Sequence, residues 1–163
     1  MYRAPPSPSP FVFTAIDGTV TAYQRGTGEV AWEFRVPDGQ MDYRHVTRIA
    51  ADEHRVVLVA ARMDEKGMFA NADGTAHICC LEYATGRLLW RQELKLGQNI
   101  AHFTATLLID GGQVFVVNAT GLFAFALETG QLMWRRRVEQ AAANRPLSVA
   151  LAVSGLAEQG DAR

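Results

Sequence analysis

The chain is short of cysteine, of charge in either direction, of long apolar runs, and of proline outside one segment. Each shortage removes a class of protein. Its only two cysteines, Cys79 and Cys80, are chain neighbours inside an apolar stretch, so no disulfide framework can be drawn. Two free, half-buried thiols lead to the expectation of a reducing cytoplasm. Lys and Arg number 16 against 17 Asp and Glu, a formal net charge of -1, which argues against a dedicated nucleic-acid binder. No stretch approaches the roughly 20 apolar residues that cross a bilayer as a helix, so no membrane span is expected. Four of the six prolines fall in residues 1–10, which read as an extended, disordered lead-in and not as the apolar core of a signal peptide.

What is present is repetition. Gly18 to Trp32, His77 to Trp90 and Gly121 to Trp134 can be laid over one another, and each ends in Thr-Gly, three variable residues and Trp. The shared positions are Thr27, Gly28 and Trp32; Thr85, Gly86 and Trp90; and Thr129, Gly130 and Trp134. All three tryptophans of the chain belong to this motif, and they lie 58 and then 44 residues apart. A period near 40 to 45 residues, rich in β-branched residues and punctuated by glycine, predicts the four-stranded blades of a β-propeller.

Strand reading agrees. Around the third motif, 102–109, 114–118, 122–127 and 132–138 read as four strands joined by hairpins, with Asp110-Gly111-Gly112 as the strongest turn. The second blade repeats this near 43–50, 56–61, 77–83 and 88–94. Its extra length falls in an insertion over residues 62–74. The first blade shows three strands, 11–15, 20–24 and 30–36, with no fourth partner visible. The expected division is therefore a lead-in at 1–10, three blades over 11–138 (about 11–36, 43–95 and 102–138), and a segment 139–163. That last segment is read as a helical turn at 139–144, a closing strand at 147–153 and a polar tail.

The pattern Gly-x-x-x-Ala-Phe/Tyr-x-x-x-Thr-Gly-x-x-x-Trp resembles the repeat of the pyrroloquinoline-quinone-type propellers. That superfamily includes quinoprotein alcohol dehydrogenases and the outer-membrane assembly lipoprotein propeller. The resemblance implies that Trp32, Trp90 and Trp134 pack against the glycine of a neighbouring blade's turn, with Gly28, Gly86 and Gly130 in tight turns. Glycine permits the positive φ such turns need, and tryptophan supplies a large apolar surface with one N–H to satisfy. Propellers close with 4–8 blades, whereas this sequence encodes about three. Each open end is then expected to present an apolar face that favours association. The expected partners are proteins: a second copy closing a ring of about six blades, with the strand at 147–153 completing the other copy's first blade, or another propeller.

The adjacent cysteines resemble the ring-forming pair of quinone-dependent dehydrogenases, yet a mid-strand position sends neighbouring side chains to opposite faces. His45, His54, His77 and His102 have no metal-ligand spacing. Asp64, Glu65, Asn71 and Asp73 lack the alternating order of a calcium loop. Arg135, Arg136 and Arg137 read as an exposed outer strand and not as a phosphate site. Ser7, Ser9, Ser148 and Ser154 occupy no nucleophile-elbow sequence. No catalytic residue, cofactor or metal is expected. The insertion, with Met63, Asp64, Glu65, Met68 and Phe69, is the candidate partner-binding loop. The leading expectation is a non-catalytic interaction and assembly module. The alternatives are a piece of a quinone-dependent dehydrogenase or a small-molecule-sensing propeller.

Overall fold

The computed structural model describes residues 8–37, 46–64, 73–98, 105–118, 121–137 and 148–161. All regular structure in these residues is antiparallel β-sheet. Strands β1 (Phe11–Ile16), β2 (Thr19–Gln24) and β3 (Val30–Arg35) form one sheet. Strands β4 (Val46–Ala51), β5 (Arg55–Asp64), β6 (Asp73–Glu82) and β7 (Leu88–Gln98) form the second. Strands β8 (Ala105–Asp110), β9 (Gln113–Asn118), β10 (Gly121–Ala126) and β11 (Leu132–Arg137) form the third. Each sheet pairs its strands in chain order, so every sheet is a blade. The fold is a partial β-propeller.

Short turns set these meanders. Asp17 and Gly18, with φ of 47° and 75°, turn β1 into β2, and Gly111 and Gly112 do the same between β8 and β9. Positive φ at two successive positions is the signature of the hairpin turn whose twist matches the strands it joins. In the second blade Asp52 holds the turn, its carboxylate accepting from the backbone N–H groups of His54 and Arg55 at 2.7 Å each.

The blades stack face to face through two apolar clusters. The face of the first blade bearing Val20, Ala22 and Trp32 packs on Val56, Leu58, Ala60, Cys79 and Leu81 of the second. The opposite face of the second blade, with Val57, Val59, Ile78, Cys80 and Trp90, packs on Leu107, Val114, Val116 and Phe125 of the third. Alternation along a strand puts successive residues on opposite faces, and the middle blade, buried on both, therefore reads as nearly continuous apolar runs. Fully burying one such Val, Leu, Ile or Phe side chain contributes about 1.5–3 kcal/mol. The inner strands β4 and β8 neighbour one another along the stacking direction.

Two expectations need correction. Residues 156–161, read as a polar tail, form a strand. β12 (Ser148–Val153) and β13 (Leu156–Asp161) make a hairpin in full register from Ser148↔Asp161 to Val153↔Leu156, turned at Gly155 with φ of 84°. The hairpin packs on β8 and β9, beside the third blade, as the inner pair of a fourth. The strand expected at 147–153 thus pairs within its own chain. The insertion is also shorter than expected: the β5–β6 ladder continues through Arg62↔Thr75 and Met63↔Gly74 to Asp64↔Asp73. Residues 1–7 of the lead-in expected at 1–10, the helical turn at 139–144 and the insertion tip at 65–72 lie outside the described residues.

Candidate functional site

The repeated motif spells out one hairpin three times. In each copy the residue before the turn donates its N–H to the residue after it: Gln24 to the Glu29 carbonyl, Glu82 to Arg87, and Ala126 to Gln131, at 2.8, 2.8 and 2.9 Å. The glycine N–H then reaches back four residues, Gly28 to Gln24, Gly86 to Glu82 and Gly130 to Ala126. The threonine hydroxyl accepts the N–H two residues on, in Thr27 from Glu29, Thr85 from Arg87 and Thr129 from Gln131, each at 3.2 Å. This use of Thr as a local backbone partner is what makes it a turn residue. The turn's first residue donates its N–H to the carbonyl just ahead of the adjacent strand, β1, β5 or β9: Arg25 to Pro10, Tyr83 to His54, and Leu127 to Gly112.

A feature that sequence reasoning missed accompanies the turn. The pairing of the last two strands slips by one residue at the same place in all three blades. Ala22 faces Trp32 while Tyr23 faces Val30; Cys80 faces Trp90 while Leu81 faces Leu88; Ala124 faces Trp134 while Phe125 faces Leu132. The skipped residues, Ala31, Leu89 and Met133, are β-bulges, which bend a strand and re-aim the next side chain. Here that side chain is the tryptophan.

Two of the three tryptophans dock on the following blade. A Cβ on Gly86 would lie 2.4 Å from Cε3 of Trp32, and one on Gly130 would lie 2.5 Å from Cδ2 and Cε3 of Trp90. Only glycine allows that approach, and its φ at these positions, +71° and +72°, independently favours it. Trp32 Nε1 donates to the Tyr83 carbonyl at 3.0 Å, and Trp90 Nε1 to the Leu127 carbonyl at 2.7 Å. In both cases the acceptor stands three residues before the glycine. Phe13 adds an aromatic wall to the first junction, with ring centroids 5.7 Å from Trp32 and 5.3 Å from Tyr83. Arg55 and Glu128 bridge the second at 2.6 Å.

The third tryptophan and the first glycine are left over. Trp134 is 37% exposed, against 8% and 9% for Trp32 and Trp90, and touches Phe115 of its own blade. Gly28, with φ of +75°, has nothing within 4 Å of the place a Cβ would occupy. The described structure therefore ends in an undocked indole on the third blade and an empty glycine turn on the first.

The two terminal faces differ in chemistry, which corrects the expectation that both would be apolar. On the third blade the face around Trp134 carries Phe115, Val117 and Leu122. On the first, the central cross-strand pair is Thr14↔Thr21, where the second blade has Leu58↔Cys79 and the third Val116↔Phe123. Val12 and Ile16, 52% and 66% exposed, flank it, and the Thr21 hydroxyl donates to Glu33 at 3.4 Å.

Cys79 belongs to the cluster between the first and second blades and Cys80 to the one between the second and third. Burial pushes both thiols up to about 12, so neither is a nucleophile at neutral pH. His77 is buried, with Nδ1 4.0 Å from Glu93, whose carboxyl is held low chiefly by its hydrogen bond to Lys95. His54 sits in the turn before β5, while His45 and His102 lie outside the described residues. Among the described residues no three His, Cys, Asp or Glu side chains come together as a metal site. Arg135, Arg136 and Arg137 are exposed on β11. Met63 and Asp64 end β5, and Glu65, Met68 and Phe69 lie outside the described residues.

A family model described as the outer membrane protein assembly factor BamB matches residues 16–161. The chain belongs to this BamB family. Among solved structures, BamB from Moraxella catarrhalis is similar at 19% identity, with a TM-score of 0.50 over 83% of this chain. That likeness supports the fold. The present BamB-family chain spans 38% of that structure's length. A search of curated proteins found no match.

Proposed function

We propose that this chain is a non-catalytic protein-interaction module whose terminal blades are its contact surfaces. The observation that carries the reading is the undocked Trp134 on a face that, in the two internal junctions, binds another blade. Aromatic side chains of this kind anchor interfaces, where a large rigid surface is buried at little conformational cost. The family's description as an assembly factor supports it. A propeller offers rigid, loop-rimmed surfaces suited to protein partners, and the arm formed by β5 and β6 is a second place for contact.

The dehydrogenase alternative loses its main attraction, because Cys79 and Cys80 face different junctions and share no surface on which a quinone could stack. A reducing cytoplasm, where the free thiols of Cys79 and Cys80 persist, is retained as part of the proposal. A photo-crosslinking amino acid at Met133 or Ile16, in cells of the source, tests the interaction role. A discrete protein adduct is expected at these positions and not at exposed Glu53. Absence of adducts at both would overturn the proposal.

A further inference from the structure

We propose that the partner on the Trp134 face is a second copy of this chain, joined head to tail through its Arg25–Gly28 turn. The inference rests on the interaction reading above and goes further by naming the occupant and the contact.

The molecule itself shows twice what a tryptophan at this position binds. The occupant is a turn with a positive-φ glycine under the indole and, three residues earlier, a carbonyl that accepts from Nε1. The 25–28 turn meets every requirement. Its hydrogen bonds match those of the two occupied turns, Gly28 has the same φ, and the space above it is empty. The Arg25 carbonyl stands where Tyr83 and Leu127 accept. Among the described residues one indole and one turn of matching shape are thus unoccupied, on opposite ends of the stack. A contact between two different surfaces of one molecule is heterologous and either closes a ring or runs on as a filament.

Charge favours this pairing over a repeat of the internal ones. On the outer strand, the position two after the tryptophan faces forward with the indole, and the position one after faces back. In the internal junctions these places hold Phe34 with Arg91, then Gln92 with Arg135. The proposed junction sets Arg136 beside Glu33, the one combination of opposite charges.

β12 and β13 pair with each other along their whole length and pack on β8 and β9 of the third blade, so the incoming first blade seats on the part of the third blade around Trp134 that they leave open.

The test is the mass of the full chain in solution by light scattering after size exclusion, for the native sequence and two variants. Gly28→Asn suits the purpose because asparagine tolerates positive φ, and the free copy has room for its Cβ. In the junction that Cβ would strike the partner's Trp134. Trp134→Ala removes the other half. The native chain is expected to be larger than a monomer at micromolar concentration, as a closed ring or a short filament. Each variant alone is expected to dissociate on the order of tenfold or more readily, with an unchanged far-ultraviolet spectrum. An equal mixture recovers dimer, since Trp134 of one variant meets Gly28 of the other. A monomeric native chain, or assemblies that ignore both substitutions, would overturn the proposal. If the chain is monomeric yet still crosslinks in cells at Met133, the second-copy contact fails while the interaction role stands.

Discussion

Replacing Gly130 with alanine separates two reasons for glycine that coincide in the turn. Alanine at φ +72° costs about 1–2 kcal/mol for the left-handed backbone alone. The added Cβ would also lie 2.5 Å from two atoms of Trp90, so the indole must move. Displacing it forfeits the 2.7 Å bond from Nε1 to the Leu127 carbonyl, and a buried donor left unpaired costs about 1–3 kcal/mol. Packing around a residue 9% exposed is lost as well. The combined loss is about 3–5 kcal/mol, in the range seen for large core truncations. Gly112→Ala is the matched control, with φ of +76° and nothing within 4 Å, and should cost only the backbone part, about 1–2 kcal/mol. With a urea slope of about 2 kcal/mol per molar, the midpoint should fall by about 2 M for Gly130→Ala and by less than about 1 M for the control. Equal midpoints would mean that only backbone strain matters and that the indole does not sit on the glycine.

Trp90→Phe keeps an aromatic ring but deletes the Nε1 donor, and thermal or urea unfolding should register a loss of about 1–2 kcal/mol. The same change at half-exposed Trp134 should stay within about 0.5 kcal/mol in the isolated copy. Thr129→Ala removes the acceptor for the Gln131 N–H and should cost about 1 kcal/mol by urea denaturation. The thiols predict both reactivity and pH dependence. Cys79 and Cys80 should resist a thiol reagent at pH 8 until urea is added. Because their folded values are raised from 9.0 to about 12, the unfolded chain loses these protons first. Their contribution to stability is complete below pH 9 and declines as pH rises towards 12. Unfolding midpoints that hold steady across that window would contradict the burial of both groups.

The Thr-Gly-x-x-x-Trp motif was legible because each residue serves a separate local need. Thr129 satisfies an N–H, Gly130 supplies the φ, and Trp90 requires the glycine's missing side chain. The bulges were not legible, since Ala31, Leu89 and Met133 share no chemistry; only the constant spacing between glycine and tryptophan records them. Strand β13 was missed for a related reason. Glu158, Gln159 and Gly160 are poor strand formers, and the segment is ordered by pairing with β12 across the Gly155 turn, a tertiary effect that local propensity does not carry. The extension of β5 and β6 past Ala61 likewise depends on each strand supporting the other. The chemistry of the first blade's outer face could have been read from Thr19 and Thr21, which a period of two puts on one side, with Thr14 opposite Thr21 across the hairpin. The apolar average of the repeat hid it.

That inequality between the two ends bears on how blades of this kind assemble. A face built around Phe115, Val117, Leu122 and Trp134 loses free energy for every part left in water, at about 25 cal/mol per Å² of apolar surface. A face centred on Thr14 and Thr21 loses less at its middle, where the Thr21 hydroxyl bonds to Glu33, although Val12 and Ile16 flank it. Val12 and Ile16 on the first blade and Met133 and Trp134 on the third all gain from burial, so both ends drive association, while the first blade decides what fits. Recognition falls to features that water cannot imitate: the bare backbone of Gly28, the carbonyl of Arg25 and the charge of Glu33. A partner lacking a positive-φ glycine would meet Trp134 with a Cβ in the way, as Gly86 and Gly130 show. Specificity in this fold thus resides in the smallest residue of the repeat, and affinity in the largest.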